Sequence, residues 1–196
     1  NGVPHIHFNG AGGDVGAGKY NDGSPENRQQ LAVRLADGMS RALVASQRLP
    51  IASDALRWET LPVQLPLAPH LKVASLQAQL EDPSGDPKIT IGVAEDLAWA
   101  ERCEQGGSIA LHCLQLGEAR LLFLPGECSV AYQLAAQRMV PDQFVAMAAY
   151  GDYAPGYICT EAQYAEGGYE ASPRASRVSP QVEGVLLKAM RQLLSR

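Results

Sequence analysis

The chain has 196 residues, of which 46% are hydrophobic, with a formal net charge of −5 and a pI near 5.4. That length and hydrophobic content are typical of one domain with one core. The acidic balance argues against a nucleic-acid partner, and the scattered basic residues argue against an anionic membrane surface. No apolar run reaches the ~18 residues of a transmembrane helix. No signal-peptide pattern is visible in residues 1–25, and neither the localisation nor the oligomeric state follows from the sequence.

The N-terminal residues predict a short strand and a glycine-rich turn. His5–Phe8 is the predicted strand, and Asn9–Gly18 is the turn. On a strand, His5 and His7 would share one face, where they would either bind a metal or face solvent or a neighbouring sheet.

Residues 13–19 formally match GxxxxGK, the phosphate loop of nucleotide hydrolases. Tyr20, however, stands where a Ser or Thr should hold Mg²⁺. Residues 21–25, Asn-Asp-Gly-Ser-Pro, exclude the helix whose N-terminus would bind the phosphate. We therefore do not expect nucleotide binding.

Apolar periodicity along the chain predicts a single-domain α/β fold, with helices packed on a mixed sheet. Amphipathic helices are predicted at Glu26–Gln47, capped by Ser24, and at Pro180–Leu194, capped by Ser179. We expect both to cover a sheet whose strands lie near Ile6, Cys113, Leu122 and Val145. The other predicted elements are an edge strand within Leu56–Leu67, helices at Leu71–Leu80, Gly92–Gln105 and Ser129–Met139, and strands at Ile109–Leu116, Ala119–Leu124 and Phe144–Ala149.

Polar residues follow two of the predicted strands. The run Leu121–Leu124 ends at Pro125-Gly126 and is followed at once by Glu127, and Phe144–Ala149 is followed by Tyr-Gly-Asp-Tyr at 150–153. Ligands of open α/β sheets gather at the carboxyl ends of the strands, so we expect a site there. Five of the seven tyrosines lie in Tyr150–Arg177, a segment with no hydrophobic period. We expect it to form an ordered wall of that site.

Four short motifs resemble the catalytic domain of the neutral (alkaline, non-lysosomal) ceramidase family, and more closely the bacterial ceramidase-like proteins of unknown function. They are Leu-Pro-Gly-Glu at 124–127, Tyr-Ile-Cys-Thr-x-x-x-Tyr at 157–164, Tyr-Glu-Ala-Ser at 169–172, and Gly-Asp-Val at 13–15. The resemblance runs with gaps from about His5 to the C-terminus and is poor over about residues 50–100. It implies that residues 1–196 are the C-terminal part of a ceramidase-like catalytic domain.

The resemblance also implies a zinc-dependent hydrolase of an amide or ester bond in a small-molecule or lipid-like substrate. Glu127 and Tyr157 would be metal ligands, together with two histidines upstream of this chain, and the oxygens of these two side chains should then lie within about 5 Å of each other. Tyr169 would be a catalytic residue that holds the substrate or its developing oxyanion. Asp14 and Gly16 would belong to the substrate-binding loop.

One position departs from the family. Gly16 stands where the motif Gly-Asp-Val-Ser-Pro-Asn has its proposed nucleophilic serine. Metal-bound water would then be the nucleophile. The alternative is a non-catalytic metal- or ligand-binding module with a ceramidase-derived fold. Glu127 also fits the ordinary role of a carboxylate that stabilises a helix N-terminus.

Overall fold

A mixed β-sheet forms the centre of the fold. The computed structural model describes residue 4 and residues 6–16, 18, 21–47, 50–82, 86–152 and 154–195. The strands in this part of the chain are β1 (Leu56–Val63), β2 (Ile109–Leu116), β3 (Ala119–Pro125), β4 (Glu127–Cys128), β5 (Phe144–Gly151) and β6 (Tyr157–Ile158). The helices are α1 (Pro25–Ala45), α2 (Val73–Glu81), α3 (Pro87–Glu104), α4 (Val130–Met139), α5 (Glu161–Glu166) and α6 (Val182–Leu194).

Four strands make the main sheet, in the order β1-β2-β3-β5, and β4 and β6 form a separate pair. β1, β2 and β3 are antiparallel, whereas β3 and β5 are parallel and are joined through α4. This confirms the predicted α/β fold with a mixed sheet. β1 lies at the edge, as predicted, and an edge strand tolerates Pro62, which has no N–H to donate to a neighbour.

One face of the sheet is buried beneath α4 and α6, which contact each other and the strands. Alternation along β2, β3 and β5 places every second side chain on this face. Its members include Leu111, Cys113, Leu122, Leu124, Val145 and Met147. α6 contributes Val182, Leu186, Ala189, Met190 and Leu193 to the same core.

The opposite face of the sheet is partly open and carries an aromatic group. Trp58 lies 5.0 Å from the His112 ring and 5.2 Å from the Phe123 ring, between centroids, and Phe8 lies edge-on to Phe123 at 6.3 Å. Trp58 is 54% exposed. The helical layer therefore covers one side of the sheet in the described part of the chain.

The predicted strand at His5–Phe8 is wrong for residues 6–8, which form no strand; His5 lies outside the described residues. Ile6 is 82% exposed and so does not share the core. Further along, the Asn9 carbonyl accepts a hydrogen bond of 2.9 Å from the Ala149 N–H. One such bond is too few to extend the sheet.

α1 forms almost where the apolar period predicts it, with Ser24 as its N-cap, but its predicted packing on the sheet is wrong. None of its residues is buried, and Leu35, Met39 and Leu43 are all exposed. Periodicity identifies an amphipathic helix but does not say what the apolar stripe contacts.

Two further findings concern the C-terminal third, and the second corrects a prediction. Tyr150–Arg177 contains β6 and α5, and α5 begins with a capping box between Thr160 and Gln163. These elements are too short to show an apolar period. Ser179 does not cap α6, since the helix begins at Val182 after Gln181, and the Ser179 hydroxyl instead donates to the Gln181 side-chain oxygen at 2.6 Å.

No helix among the described residues combines the length and the hydropathy needed to cross a membrane.

Candidate functional site

Two Pro-Gly turns place Glu127 and Tyr157. Gly126 and Gly156 precede these residues with φ of +59° and +67°. A side chain at Gly126 would clash with the Gly156 carbonyl oxygen, and one at Gly156 would clash with the Ala175 carbonyl oxygen. Both turns therefore require glycine for two reasons, the left-handed backbone and the close approach.

The strands that leave these turns, β4 and β6, are parallel neighbours, with Glu127 in register with Tyr157. The Glu127 N–H donates to the Gly156 carbonyl at 2.9 Å. Residues in register on adjacent parallel strands point to the same side, on backbones about 4.8 Å apart. The fold thus brings Glu127 and Tyr157, both partly buried, to adjacent positions on neighbouring strands, although they are 30 residues apart in sequence.

Tyr169 extends this pair towards solvent. Its ring packs edge-on against the Tyr157 ring with the centroids 5.8 Å apart, and the residue is 58% exposed. The Ser172 hydroxyl and N–H both donate to the Tyr169 carbonyl, at 2.6 and 3.0 Å, which closes a turn over Tyr-Glu-Ala-Ser. Three of the residues chosen from the sequence therefore lie together.

The loop that carries Asp14 and Gly16 lies against the same strand pair. The Gly13 N–H donates to the Cys128 carbonyl at 2.9 Å, and a side chain at Gly13 would clash with the Glu127 carbonyl oxygen. This close approach fixes the start of the loop beside β4.

Asp14 holds the loop by accepting hydrogen bonds from two helices. One carboxylate oxygen accepts from the Ser129 hydroxyl at 2.6 Å and from the Gln163 side-chain amide at 2.7 Å, and the other accepts from the Val130 N–H at 2.7 Å. Burial raises the pKa of Asp14, but these donors outweigh it and the pKa lies below its ordinary value. The carboxylate is thus occupied by protein donors, and a substrate-binding role for Asp14 stays a prediction.

Gly16 differs from Gly13 in that no described residue lies close to where its side chain would be. A side-chain carbon at Gly16 would meet its nearest described neighbour, the Gly18 nitrogen, only at 4.0 Å, and its φ lies outside the left-handed region. Nothing in the described part of the chain therefore requires glycine at the position where the resemblance places a serine. Lys19 and Tyr20 of the same loop lie outside the described residues.

Tyr150 lies near the end of β5, where the sequence predicts a site without giving this tyrosine a specific role. It has φ of +68°, a left-handed conformation that is unusual for an aromatic residue. Its N–H donates to the Gly126 carbonyl at 2.8 Å, and the Gly126 N–H donates to the Gly151 carbonyl at 2.7 Å. Burial raises the pKa of the half-buried phenol, and the charge of Glu127 raises it further.

Comparison with known proteins bears on the fold. No protein-family model and no curated protein matches the sequence. A solved structure of neutral ceramidase from Pseudomonas aeruginosa is similar, with a TM-score of 0.55 and 15% identity over 92% of this chain and 34% of that one. A structure described as a ceramidase complexed with C2 also has a TM-score of 0.55, with 13% identity over 86% of this chain and 34% of that one.

The chain has a ceramidase-like fold. At these identities the likeness shows the fold alone, and the chain spans about a third of the length of the two ceramidases. The activity of the whole proteins is therefore a separate question for this chain.

Two residues of the site carry oxygens that could serve as metal ligands. The Glu127 carboxylate is an oxygen ligand of the kind zinc binds, and Tyr157, its partner in register on β6, carries a phenol oxygen. Within the described ranges, no three His, Cys, Asp or Glu side chains are grouped so that they could hold an ion. Of the candidate histidines, His7 lies within hydrogen-bond distance of the Asn9 side-chain oxygen, at 3.0 Å. A four-coordinate zinc would thus need two ligands beyond this pair.

Proposed function

We propose that this chain contributes part of the zinc site of a hydrolase that cleaves an amide, or an ester, in a small-molecule or lipid-like substrate. The observation that carries the proposal is the register of β4 and β6, which sets Glu127 beside Tyr157, with Tyr169 against Tyr157. The ceramidase-like fold supports an amide substrate, since both similar structures are described as ceramidases.

Each side chain has a distinct role in this proposal. Glu127 and Tyr157 would hold zinc, together with two histidines from a preceding segment. Zinc in such a site supplies a Lewis acid and lowers the pKa of water towards neutrality. The exposed Tyr169 would donate a hydrogen bond to the substrate carbonyl oxygen, where negative charge develops during attack. Asp14 keeps the loop of Gly16 next to β4.

The absence of a side chain at Gly16 implies that water, and not a serine hydroxyl, is the nucleophile. Without a hydroxyl at this position there is no group to form an acyl-enzyme there, so water attacks the carbonyl directly. We therefore expect poor hydrolysis of ordinary ceramide and no covalent intermediate.

The test uses the full-length protein, its zinc content and a labelled N-acyl sphingosine. Any turnover, which we expect to be slow, should disappear with a chelator and in Glu127→Ala, and should survive serine-directed reagents. The matched control is Glu118→Ala, at the β2–β3 hairpin, which should leave both zinc content and turnover unchanged. Mass spectrometry should find no acyl adduct. An adduct anywhere in Gly13–Tyr20, or brisk turnover that resists the chelator, would contradict the proposal.

The second candidate is a non-catalytic binding module. Gly16 favours it because the nucleophile is absent although the described residues leave room for a serine side chain. Gly16→Ser probes this point, since the added hydroxyl fits the open space. A protein that binds zinc or a lipid-like ligand but turns over no amide or ester, with or without the serine, would be such a module.

A further inference from the structure

The strand that carries Tyr157 is held from both sides. β4 lies on one side, and residues 175–177 lie on the other. The Tyr157 N–H donates to the Ala175 carbonyl at 2.9 Å, and the Arg177 N–H donates to the Pro155 carbonyl at 3.0 Å. Gly156 and Ser176 form an antiparallel bridge between these two bonds. The position of Tyr157 therefore depends on where residues 175–177 are fixed.

The Arg177 side chain joins this segment to α3. Its Nε donates to an Asp96 carboxylate oxygen at 2.5 Å, and one terminal nitrogen donates to Glu95 at 3.0 Å. The other terminal nitrogen reaches the Ala154 carbonyl at 3.4 Å. The side chain is only 19% exposed, so these charge-assisted bonds are partly shielded from water.

The Arg177 backbone is anchored as well. Its carbonyl accepts hydrogen bonds from the Trp99 indole N–H at 3.0 Å and from the Ala68 N–H at 3.1 Å. Trp99 is a buried residue of α3. Arg177 thus connects α3, a helix outside the strand pair, to the turn immediately before Tyr157.

The turn before Tyr157 needs such support. β6 has two residues, and a two-stranded sheet is marginally stable by itself. Pro155 has no N–H to donate, and the chain leading to it contains the left-handed Tyr150 and Asp152. The planar fork of arginine reaches two carboxylates and one carbonyl at once, which the single ammonium of lysine does not.

We propose that Arg177 is a positioning residue that fixes Tyr157 in register with Glu127 through Asp96 and Glu95 on α3. The inference rests on the proposed function, because the residues that Arg177 would hold in place are the proposed metal ligands.

The experiment compares Arg177→Gln with Arg102→Gln in the full-length protein. Arg102 is a matched control, since it belongs to α3 and lines the same 440 Å³ cleft as Arg177, but its guanidinium donates to the Ser108 carbonyl instead of residues 154–157. The measurements are zinc affinity, melting temperature, and amide hydrogen exchange at Glu127 and Tyr157. Arg177→Lys and Asp96→Asn serve as milder variants should Arg177→Gln fail to fold.

We expect Arg177→Gln to weaken zinc binding by about 10-fold, the lower end of the loss seen for residues that support metal ligands. Exchange at Tyr157 and Glu127 should quicken while exchange in β3 stays slow. Arg177→Lys should recover part of the affinity, and Arg102→Gln should match the unaltered protein.

Three outcomes overturn the inference or its basis. Unchanged affinity and exchange in Arg177→Gln refute the role of Arg177. An equal loss in Arg102→Gln shows a general loss of stability instead of positioning. No zinc binding by the unaltered protein refutes the proposed function, and the exchange rate at Tyr157 then decides by itself whether Arg177 fixes the strand pair.

Discussion

The glycines of the site divide into those that the fold requires and one that it does not. We expect Gly126→Ala to lower the free energy of unfolding by more than ~1 kcal/mol, since a left-handed alanine alone costs that much and the Gly156 carbonyl must also move. Gly16→Ala is the matched control and should be nearly neutral. Urea unfolding monitored by tryptophan fluorescence measures both variants. A tolerated Gly126→Ala would mean that the turn is not rigid.

The ionisation of Asp14 makes the stability of the fold depend on pH. Because the pKa of the folded carboxyl lies below its ordinary value of about 3.9, ionised Asp14 stabilises the fold above that pH. This contribution is lost as the pH falls through the folded pKa. Asp14→Asn should therefore reduce stability at pH 7 and flatten the loss of stability below about pH 4. Urea unfolding between pH 3 and 7 tests this, and identical acid slopes in the two proteins would contradict it.

Removing a helix cap should affect the stability of the core differently at α5 and at α1. Thr160→Ala removes half of the α5 capping box, and should lower the free energy of unfolding by about 1 kcal/mol. Neither helix has a fully buried residue, but Tyr164 of α5 packs against the core and no residue of α1 does. Ser24→Ala, which removes the equivalent bond at α1, should therefore leave unfolding of the core unchanged. Fluorescence of the buried Trp99 reports the core, so equal effects of the two variants would show that α1 is packed after all.

Elements with a long apolar period are predictable from the sequence. The hairpin of β2 and β3 and the helix α4 lie where periodicity places them. Each has at least seven residues, so the burial of one face produces a recognisable apolar pattern in its sequence. β4 and β6 have two residues each, and no period exists over such a length. They depend on backbone bonds to partners that are distant in the chain.

The same limit applies to the site. The resemblance of short motifs to the ceramidase family singled out Glu127 and Tyr157, but their register follows from contacts between distant segments, such as the close approach of Gly126 to the Gly156 carbonyl. The sequence does not indicate a role for Arg177, because its partner carboxylates are 81 and 82 residues away in the chain. An arginine in a polar segment looks the same in sequence whether it faces solvent or joins two elements.

For the molecule as a whole, stability comes from the face of the sheet that α4 and α6 cover. Leu186 of α6 is fully buried in that core, whereas Leu35 of α1 is 66% exposed. The same substitution should therefore have very different effects at the two positions. Leu186→Ala should cost about 2–5 kcal/mol of unfolding free energy, the range for removing a buried leucine side chain and leaving a cavity. Leu35→Ala should stay within about 0.5 kcal/mol, as surface substitutions do.

Urea unfolding of the two leucine variants, followed by fluorescence and by circular dichroism, makes this comparison. The two probes should coincide for Leu186→Ala, because the core and its helices unfold together. A large loss in Leu35→Ala would place α1 against an apolar surface in solution. The open sheet face with Trp58 and Phe123 would then be the first surface to examine, by substituting Trp58 in the Leu35→Ala background and asking whether the two losses are additive.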